Sequence, residues 1–178
     1  MGFPKALLEF GAEAFVDRLI GLFCAVCSPV IVVTGAHTDA ILAGTRRAAA
    51  ARFVHNADYG RGQLSSMQCG LREIPASASG VLFTLVDHPA VRPDTLTRLL
   101  AGSAPLRIPR CSGRRGHPIW FSPALAAEFL ALPPEATARE VVNRHAAELE
   151  YIEVDDPGVL EDIDDPGDYR RLAGGGRP

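Results

Sequence analysis

The sequence is poor in the features that mark secreted, membrane and fibrous proteins. Only four of its 178 residues are cysteines, whereas a disulfide-stabilised secreted domain is normally shorter and richer in Cys. No apolar run reaches the roughly 18 to 20 residues that cross a bilayer, because Ser28 and Pro29 interrupt the longest candidate. The 17 glycines are far fewer than a collagen repeat needs. With no signal-peptide pattern at Met1, we expect a cytoplasmic protein with reduced thiols.

Several well-known catalytic motifs are also missing. The sequence contains no GxSxG, Walker A, HExxH or GxGxxG pattern, so it gives no support to the chemistries that those motifs carry. Cys24 and Cys27 have the CxxC spacing of redox and zinc sites. No second pair of Cys or His accompanies them, and their apolar surroundings favour two core thiols.

Lysine is nearly absent, and the acids are unevenly distributed. Of the 18 basic residues only Lys5 is a lysine, which indicates either a specific need for an ammonium group or an accidental surface residue. Eight acids and no base lie between Glu153 and Asp168, leaving 13 acids against 18 bases elsewhere. The resulting surplus of five positive charges outside this segment is too small to indicate binding to nucleic acid. The acidic segment predicts an ordered loop, with a divalent-cation site as its alternative use.

The rest of the composition, 47% hydrophobic and 22% charged, predicts one globular domain over 1–178, with 173–178 a frayed tail.

Hydrophobic patterns predict strands at 30–34, 52–55, 81–86 and 151–154, and helices at 12–23, 37–51, 65–74, 93–100, 123–132 and 138–148. Segments 108–109 and 119–121 predict a hairpin pair. Alternating strands and helices indicate a mainly parallel sheet covered on both faces. Ligands bind such sheets at the carboxyl ends of the strands.

Acidic side chains follow the strands where ligands are expected. Asp87 comes after the most apolar strand, where it could hold Mg²⁺ or only cap a turn. Asp162 and Asp164 fall on one side of an extended segment, so one of them could hold metal, unless this is an ordinary acidic turn. The acid after them, Asp165, is a candidate helix cap.

Two segments are candidates for binding anions. The loop before Ser65 and Ser66 contains Gly62 and leads into a helix, whose first N–H groups can bind phosphate. Ser65 is the predicted N-cap of that helix. The second candidate is a cluster of guanidinium groups, for which an exposed basic hairpin is the alternative. Its members are Arg107, Arg110, Arg114 and Arg115.

Taken in order, several segments resemble the molybdenum-cofactor nucleotidyltransferase family and its cytidylyltransferase-like, MobA-like branch. They are MGFPK at 1–5, GQLSS at 62–66, DHP at 87–89, GRRGHP at 113–118, and the acidic segment 156–166. The resemblance implies a Rossmann-like three-layer α/β/α fold. It also implies Mg²⁺-dependent transfer of a nucleoside monophosphate from an NTP to a phosphorylated acceptor such as molybdopterin, with release of pyrophosphate. CTP is favoured over GTP, and a molybdoenzyme is a candidate partner; no nucleic acid or membrane is expected.

The resemblance also implies roles for individual residues. Lys5 and Asp87 would be catalytic, with Lys5 on the substrate phosphates. Asp87, Asp164 and, less surely, Asp162 would hold the metal. Nucleotide and substrate contacts would come from Gly62, Ser65, Ser66, Arg114, Arg115 and His117.

One departure from the family pattern concerns the start of the chain. Family members have a strand and a Gly-rich loop before the segment that matches 1–5, and the strand is expected to be central. A misassigned start codon and a true truncation would both explain the difference. Segments 30–34 and 81–86 would then lack a shared neighbour, which predicts low stability and weak activity. The alternative function is a non-catalytic protein that binds nucleotide or pterin in molybdoenzyme maturation.

Overall fold

The structure is a computed structural model that describes residues 4–163, 165 and 167–170. The expected frayed tail and Asp164 lie outside these residues. The strands are β1 (Glu9–Phe10), β2 (Glu13–Ala14), β3 (Ile31–Thr34), β4 (Arg52–His55), β5 (Val81–Phe83), β6 (Leu106–Cys111), β7 (Arg114–Arg115), β8 (Ile119–Phe121) and β9 (Leu149–Glu153). The helices are α1 (Phe15–Cys24), α2 (Thr38–Gly44), α3 (Gln63–Leu71), α4 (Pro93–Ala101), α5 (Pro123–Ala131) and α6 (Ala138–Arg144). Short 3₁₀ turns cover Lys5–Leu7, Ala48–Ala50, Tyr59–Arg61 and Pro157–Leu160.

The described strands form two main sheets and a small hairpin of β1 and β2. The larger sheet has the order β5-β8-β6-β7, with β9 paired to β6, and the smaller one consists of β3 and β4. Strand β8 is antiparallel to both β5 and β6, whereas β9 is parallel to β6. Strands β5, β6 and β9 therefore share one direction, as do β3 and β4. Strands β6 and β8 pair, but through Leu106 and Arg107 and not through the predicted segment 108–109.

Helices cover the larger sheet on both faces. Leu106, Ile108 and Phe121 form one core cluster with residues of α3, α5 and α6. On the opposite face, α1 and α4 pack with Cys111 of β6 and Val154 just after β9. The alternation of side chains along β6 produces these two clusters. The arrangement confirms the three-layer α/β/α fold.

A slot separates the two sheets. Strands β3 and β5 line opposite sides of a cavity of about 500 Å³, whose other walls come from α1 and α3. The carbonyls of Val30 and Thr34 accept hydrogen bonds from the β4 side. The alternate residues Ile31 and Val33 therefore direct their backbone groups into the slot. Among the described residues, no strand pairs with this edge of β3.

The slot explains where the predicted strands were wrong. Strand β5 ends at Phe83 and not at Val86, because its pairing with β8 stops there and the slot lies on its other side. The residues of β5 and the apolar ones of β3 are only half-buried, although the prediction had both strands buried on both faces. A strand reaches full burial only when it has neighbours on both edges and helices above and below.

Two smaller predictions are also corrected. Cys24 is exposed and Cys27 half-buried, because they lie at the solvent end of α1; they are not both core thiols. Helix α3 begins with Gly62 as its N-cap, so Ser65 is inside the helix. Within the described part of the chain, no helix is long and apolar enough to cross a membrane.

Candidate active site

Three loops meet at the end of the larger sheet where β5 ends. They are the segment 84–92 after β5, the segment 112–118 that precedes β8, and the segment 155–163 after β9. A Cβ at Gly158 would collide with the backbone of Ala90, and one at Gly116 with the backbone of Val159. The N–H of His117 donates to the carbonyl of Val159 at 2.9 Å. These backbones touch directly, so side-chain bulk at either glycine would separate the loops.

Asp156 joins the acidic segment to helix α4. Its carboxylate is 3% exposed and accepts hydrogen bonds from the N–H of Arg92 at 2.9 Å and from Thr95 Oγ1 at 2.6 Å. It also accepts one from the N–H of Gly158 at 3.1 Å. A buried carboxylate with this many donors is satisfied without a ligand. Asp156 therefore has a structural role.

Asp87 and Asp162 lie together. The N–H of Ile163 donates to the backbone carbonyl of Asp87 at 3.1 Å, and the Ile163 side chain is buried. This anchors the acidic segment beside the end of β5. The carboxylates of Asp87 and Asp162 and the ring of His88 place one ligand atom each within 4.8 Å of one another. The two predicted acids are thus close neighbours in the structure, and the ring of His88 lies beside them.

Two histidines pack against each other behind these carboxylates. The rings of His88 and His117 have centroids 4.8 Å apart and planes inclined by 35°. His117 also lies against the ring of Phe83 and hydrogen-bonds to its backbone. Burial and the neighbouring His88 lower the pKa of His117 to about 4, and the hydrogen bond to Phe83 only partly offsets this. His117 is therefore neutral at pH 7.

Lys5 begins the first 3₁₀ turn, which packs on α1 and α2. Its neighbour Ala6 belongs to the same apolar cluster as Val86, the residue before Asp87. The turn that carries Lys5 thus packs on the same apolar cluster as the residue before Asp87.

The predicted nucleotide-side loop is held by Asn56. The side-chain amide of Asn56, which is buried, donates to the hydroxyls of Ser65 at 2.9 Å and Ser66 at 3.0 Å. Ser65 also bonds to the carbonyl of Gly62 at 2.8 Å. Gly62 has φ +100°, a conformation that favours glycine. The loop is preorganised in this way, with its hydroxyls already engaged by protein groups.

The four arginines of the predicted anion cluster divide into two pairs. Arg107 is buried, stacks over Trp120 at 3.6 Å and donates to the carbonyls of Leu99 and Ala104. Arg110 pairs with Glu153. Arg107 is therefore structural, whereas Arg110 is 40% exposed and also lines a surface cavity.

Arg114 and Arg115 form the second pair. They are exposed in β7 and line a surface cavity of about 400 Å³ together with Tyr151. Arg110 lines the same cavity, so these three guanidinium groups are positioned to meet an anion from solution.

Sequence reasoning missed His88 and Asn56. The signal for His88 was its position next to Asp87, at the carboxyl end of a strand. Asn56 likewise follows β4 directly. Neither signal is specific without the three-dimensional contacts, because many loop residues follow strands.

The chemistry of the donor set suits a divalent cation. Two carboxylates and an imidazole within 4.8 Å are groups that bind Mg²⁺, Mn²⁺ or related ions. Asp17 is also a buried acid, but it is not a candidate ligand. Its carboxylate already accepts hydrogen bonds from the backbone N–H groups of Arg46 and Arg47.

Comparisons with known proteins identify the family of this chain. Residues 1–149 match the family model of the MobA-like NTP transferase domain. Nicotine blue oxidoreductase of Paenarthrobacter nicotinovorans is 29% identical, with 95% of this chain and 87% of the relative covered. The molybdenum cofactor cytidylyltransferase of Escherichia coli K12 is 25% identical, with 95% and 86% covered. The two relatives carry different activity names, so neither name transfers directly.

A solved structure shares the fold. Rv0371c of Mycobacterium tuberculosis H37Rv superimposes with a TM-score of 0.86 and 26% identity, over 98% of this chain and 90% of that one. A second structure of Rv0371c is a complex with manganese, with a TM-score of 0.80 and 24% identity over 97% and 93% of the two chains. The match over 149 residues and the converging loops lead to one conclusion. The chain belongs to the MobA-like NTP transferase domain family of nucleotidyltransferases.

Proposed function

We propose that this protein transfers CMP from CTP to a phosphorylated acceptor of the molybdopterin type. In this reaction an acceptor phosphate oxygen forms a bond to the α-phosphorus of CTP, the bond to the β-phosphate oxygen breaks, and pyrophosphate leaves. The observation that carries the proposal is the meeting of Asp87, His88 and Asp162 at one point in a chain of this family. The E. coli relative's name specifies a cytidylyltransferase, which supports CTP over GTP.

A divalent cation fits the donor set of Asp87 and Asp162. When bound, such a cation neutralises phosphate charge and orients the phosphates. The resemblance implies Mg²⁺, and the manganese complex of Rv0371c shows that a relative accepts Mn²⁺. In this proposal Asp87 contributes to catalysis by holding the cation. The residue proposed for a second contact, Asp164, lies outside the described residues.

The remaining proposed contacts are basic or hydroxyl-bearing. Lys5 would bind substrate phosphate, as the resemblance implies; the turn that carries it shares an apolar cluster with Val86, the residue before Asp87. Gly62, Ser65 and Ser66 would face the nucleotide from the start of α3. On the acceptor side, we propose Arg114, Arg115 and His117.

His117 and the two exposed arginines have different physical roles in this proposal. The neutral, buried ring of His117 supports the loop that follows β7. Arg114 and Arg115 can form paired hydrogen bonds to a phosphate. Binding of both substrates in line would supply most of the rate, since phosphoryl-type transfer depends on positioning and charge neutralisation.

The test is pyrophosphate release from CTP and GTP with molybdopterin as acceptor. We expect release with CTP and a divalent cation, and a fall of at least about 100-fold in Asp87→Asn, the size typical for loss of a key electrostatic group. Asp94→Asn is the matched control, because Asp94 is an exposed residue of α4 that pairs with Arg98. Equal turnover in wild type and Asp87→Asn would overturn the assignment of Asp87.

The slot favours a second candidate function. Because no strand of the described residues pairs with the segment 84–86 beside it, the position of Asp87 is less supported than in a continuous sheet. The second candidate is a non-catalytic protein that binds nucleotide or pterin, with a molybdoenzyme as partner. Calorimetry with CTP and a divalent cation separates the candidates: binding without pyrophosphate release supports the second, and turnover excludes it. Absence of both binding and turnover overturns both.

A further inference from the structure

We propose that His88 is a direct metal ligand, which makes the site selective for Mn²⁺ over Mg²⁺. The inference deepens the proposed function, since it concerns the cation held beside Asp87. The geometric basis is that the imidazole and two carboxylates place their ligand atoms within 4.8 Å of one another.

The distances suit a common cation. The Nε2 atom of His88 lies 3.9 Å from Oδ1 of Asp87. In an octahedral site with bonds of about 2.1 Å, neighbouring ligand atoms are about 3 Å apart and opposite ones about 4.2 Å. The observed separation falls between these values. It differs from the value for opposite ligands by about 0.3 Å and from that for neighbouring ligands by about 0.9 Å, so shifts of less than about 1 Å would bring both atoms into one coordination sphere.

The imidazole of His88 is preorganised. Its side chain is 7% exposed and stacks on His117, whose ring is in turn held against Phe83. The backbone is held as well, because the carbonyl of Pro89 accepts a hydrogen bond from Nε of Arg18 at 2.6 Å. A ligand that is already ordered loses little conformational entropy when it binds an ion.

The nitrogen donor predicts the selectivity. Mg²⁺ prefers oxygen ligands and keeps much of its water, whereas Mn²⁺ and later transition ions accept imidazole more readily. A site made only of Asp87 and Asp162 would suit Mg²⁺. With His88 as a third ligand, the site favours Mn²⁺. If the buried ring of His88 only packed against its neighbours, the site would show no such preference.

Pulsed EPR of Mn²⁺ bound to the full chain tests this directly. We expect electron spin-echo modulation from a coordinated ¹⁴N in the wild-type protein, which changes to the ¹⁵N pattern when only histidine is ¹⁵N-labelled. The wild-type measurement needs no variant, so a folding defect cannot obscure it. Absence of histidine nitrogen coupling in bound Mn²⁺ would overturn the proposal.

Two variants assign the ligand. His88→Asn should abolish the nitrogen coupling and weaken Mn²⁺ binding at least about 10-fold in calorimetry, while Mg²⁺ binding changes less than about threefold. His37→Asn is the control, because His37 is exposed and has φ 62°, which Asn tolerates. It should retain both the coupling and the affinity.

The outcome is independent of transferase activity. Nitrogen coupling without CMP transfer would support the role of His88 and count against the proposed function. CMP transfer with equal Mn²⁺ binding in wild type and His88→Asn would support the function and overturn the role of His88.

Discussion

The two sheets of this protein differ in how completely their strands are covered. In the five-stranded sheet, Leu106 and Phe121 are fully buried between helices on both faces. In the two-stranded sheet, the apolar residues of β3 are only half-buried, and one edge of the strand faces the slot. Strands of similar apolar composition thus reach different degrees of burial, because burial depends on neighbours in the sheet as well as on hydrophobicity.

The proposed metal site lies where this difference matters most. Asp87 follows the segment that borders the slot, but the backbone of Ile163 holds it from the better-packed side. The five-stranded sheet and its loops therefore position the site.

The largest expected effect is on the core of the five-stranded sheet. Phe121→Ala should lower the free energy of unfolding by about 3 to 5 kcal/mol, since the ring is completely buried. Phe53→Ala in β4 is the matched change in the two-stranded sheet, and its half-buried ring should cost less than about 2 kcal/mol. Urea unfolding measures both. Equal losses would show that the two sheets are equally well packed.

The second effect locates pH sensitivity in the five-stranded sheet. His117 has a folded-state pKa of about 4, below the unfolded value of about 6.5. The unfolded chain therefore binds the extra proton between these values, and stability falls as the pH is lowered from about 6.5 towards 4. The loss between pH 7 and 5 is about 2 kcal/mol.

Urea unfolding at these two pH values, repeated with His117→Gln, isolates this contribution, because glutamine does not titrate. The variant should lose about 2 kcal/mol less stability than the wild type on acidification. The same pH dependence in both proteins would assign the loss to other groups.

A third, smaller effect concerns the slot itself. An N-terminal extension that supplies an extended Val- and Ile-rich segment should pair with Ile31 and Val33 and bury the apolar walls. Burial and strand pairing should exceed the cost of ordering the segment by about 1.5 kcal/mol, or roughly 3 to 6 °C in melting temperature. A Gly/Ser extension of equal length is the control. If the two extensions melt alike, the slot does not accept a strand.

The smallest expected effect is a difference between two residues of β3. The N–H of Val33 faces the slot, whereas that of Val32 faces β4. We expect Val33 to exchange its amide hydrogen at least about tenfold faster, because no strand in the described part of the chain pairs with this edge of β3. Hydrogen exchange followed by NMR measures both positions in one sample. Similar protection would show that the edge is covered in solution.

Much of the secondary structure could be predicted from local pattern. Strand β4 was predicted with its observed bounds, and α5 differed by one residue at its end. The β1–β2 hairpin was missed, because two-residue strands leave almost no periodic signal. Helix α2 is shorter than predicted, since the Ala-rich run 45–51 turns away from the helix at Thr45. The positions of Asp87 and Asp162 as candidates followed from the rule that ligands bind at the ends of strands.

The sequence by itself determined the α/β class, the family resemblance and the candidate acids, because each depends on residues near one another in the chain. Only the tertiary structure decided that Asp156 is a structural hydrogen-bond acceptor while Asp162 approaches Asp87. It also separated the structural Arg107 from the exposed Arg114 and brought His88 to the carboxylates. Residue type specifies which interactions a side chain can make. Which of them it does make depends on partners whose placement only the packed fold determines, such as Thr95 for Asp156, 61 positions away in the chain.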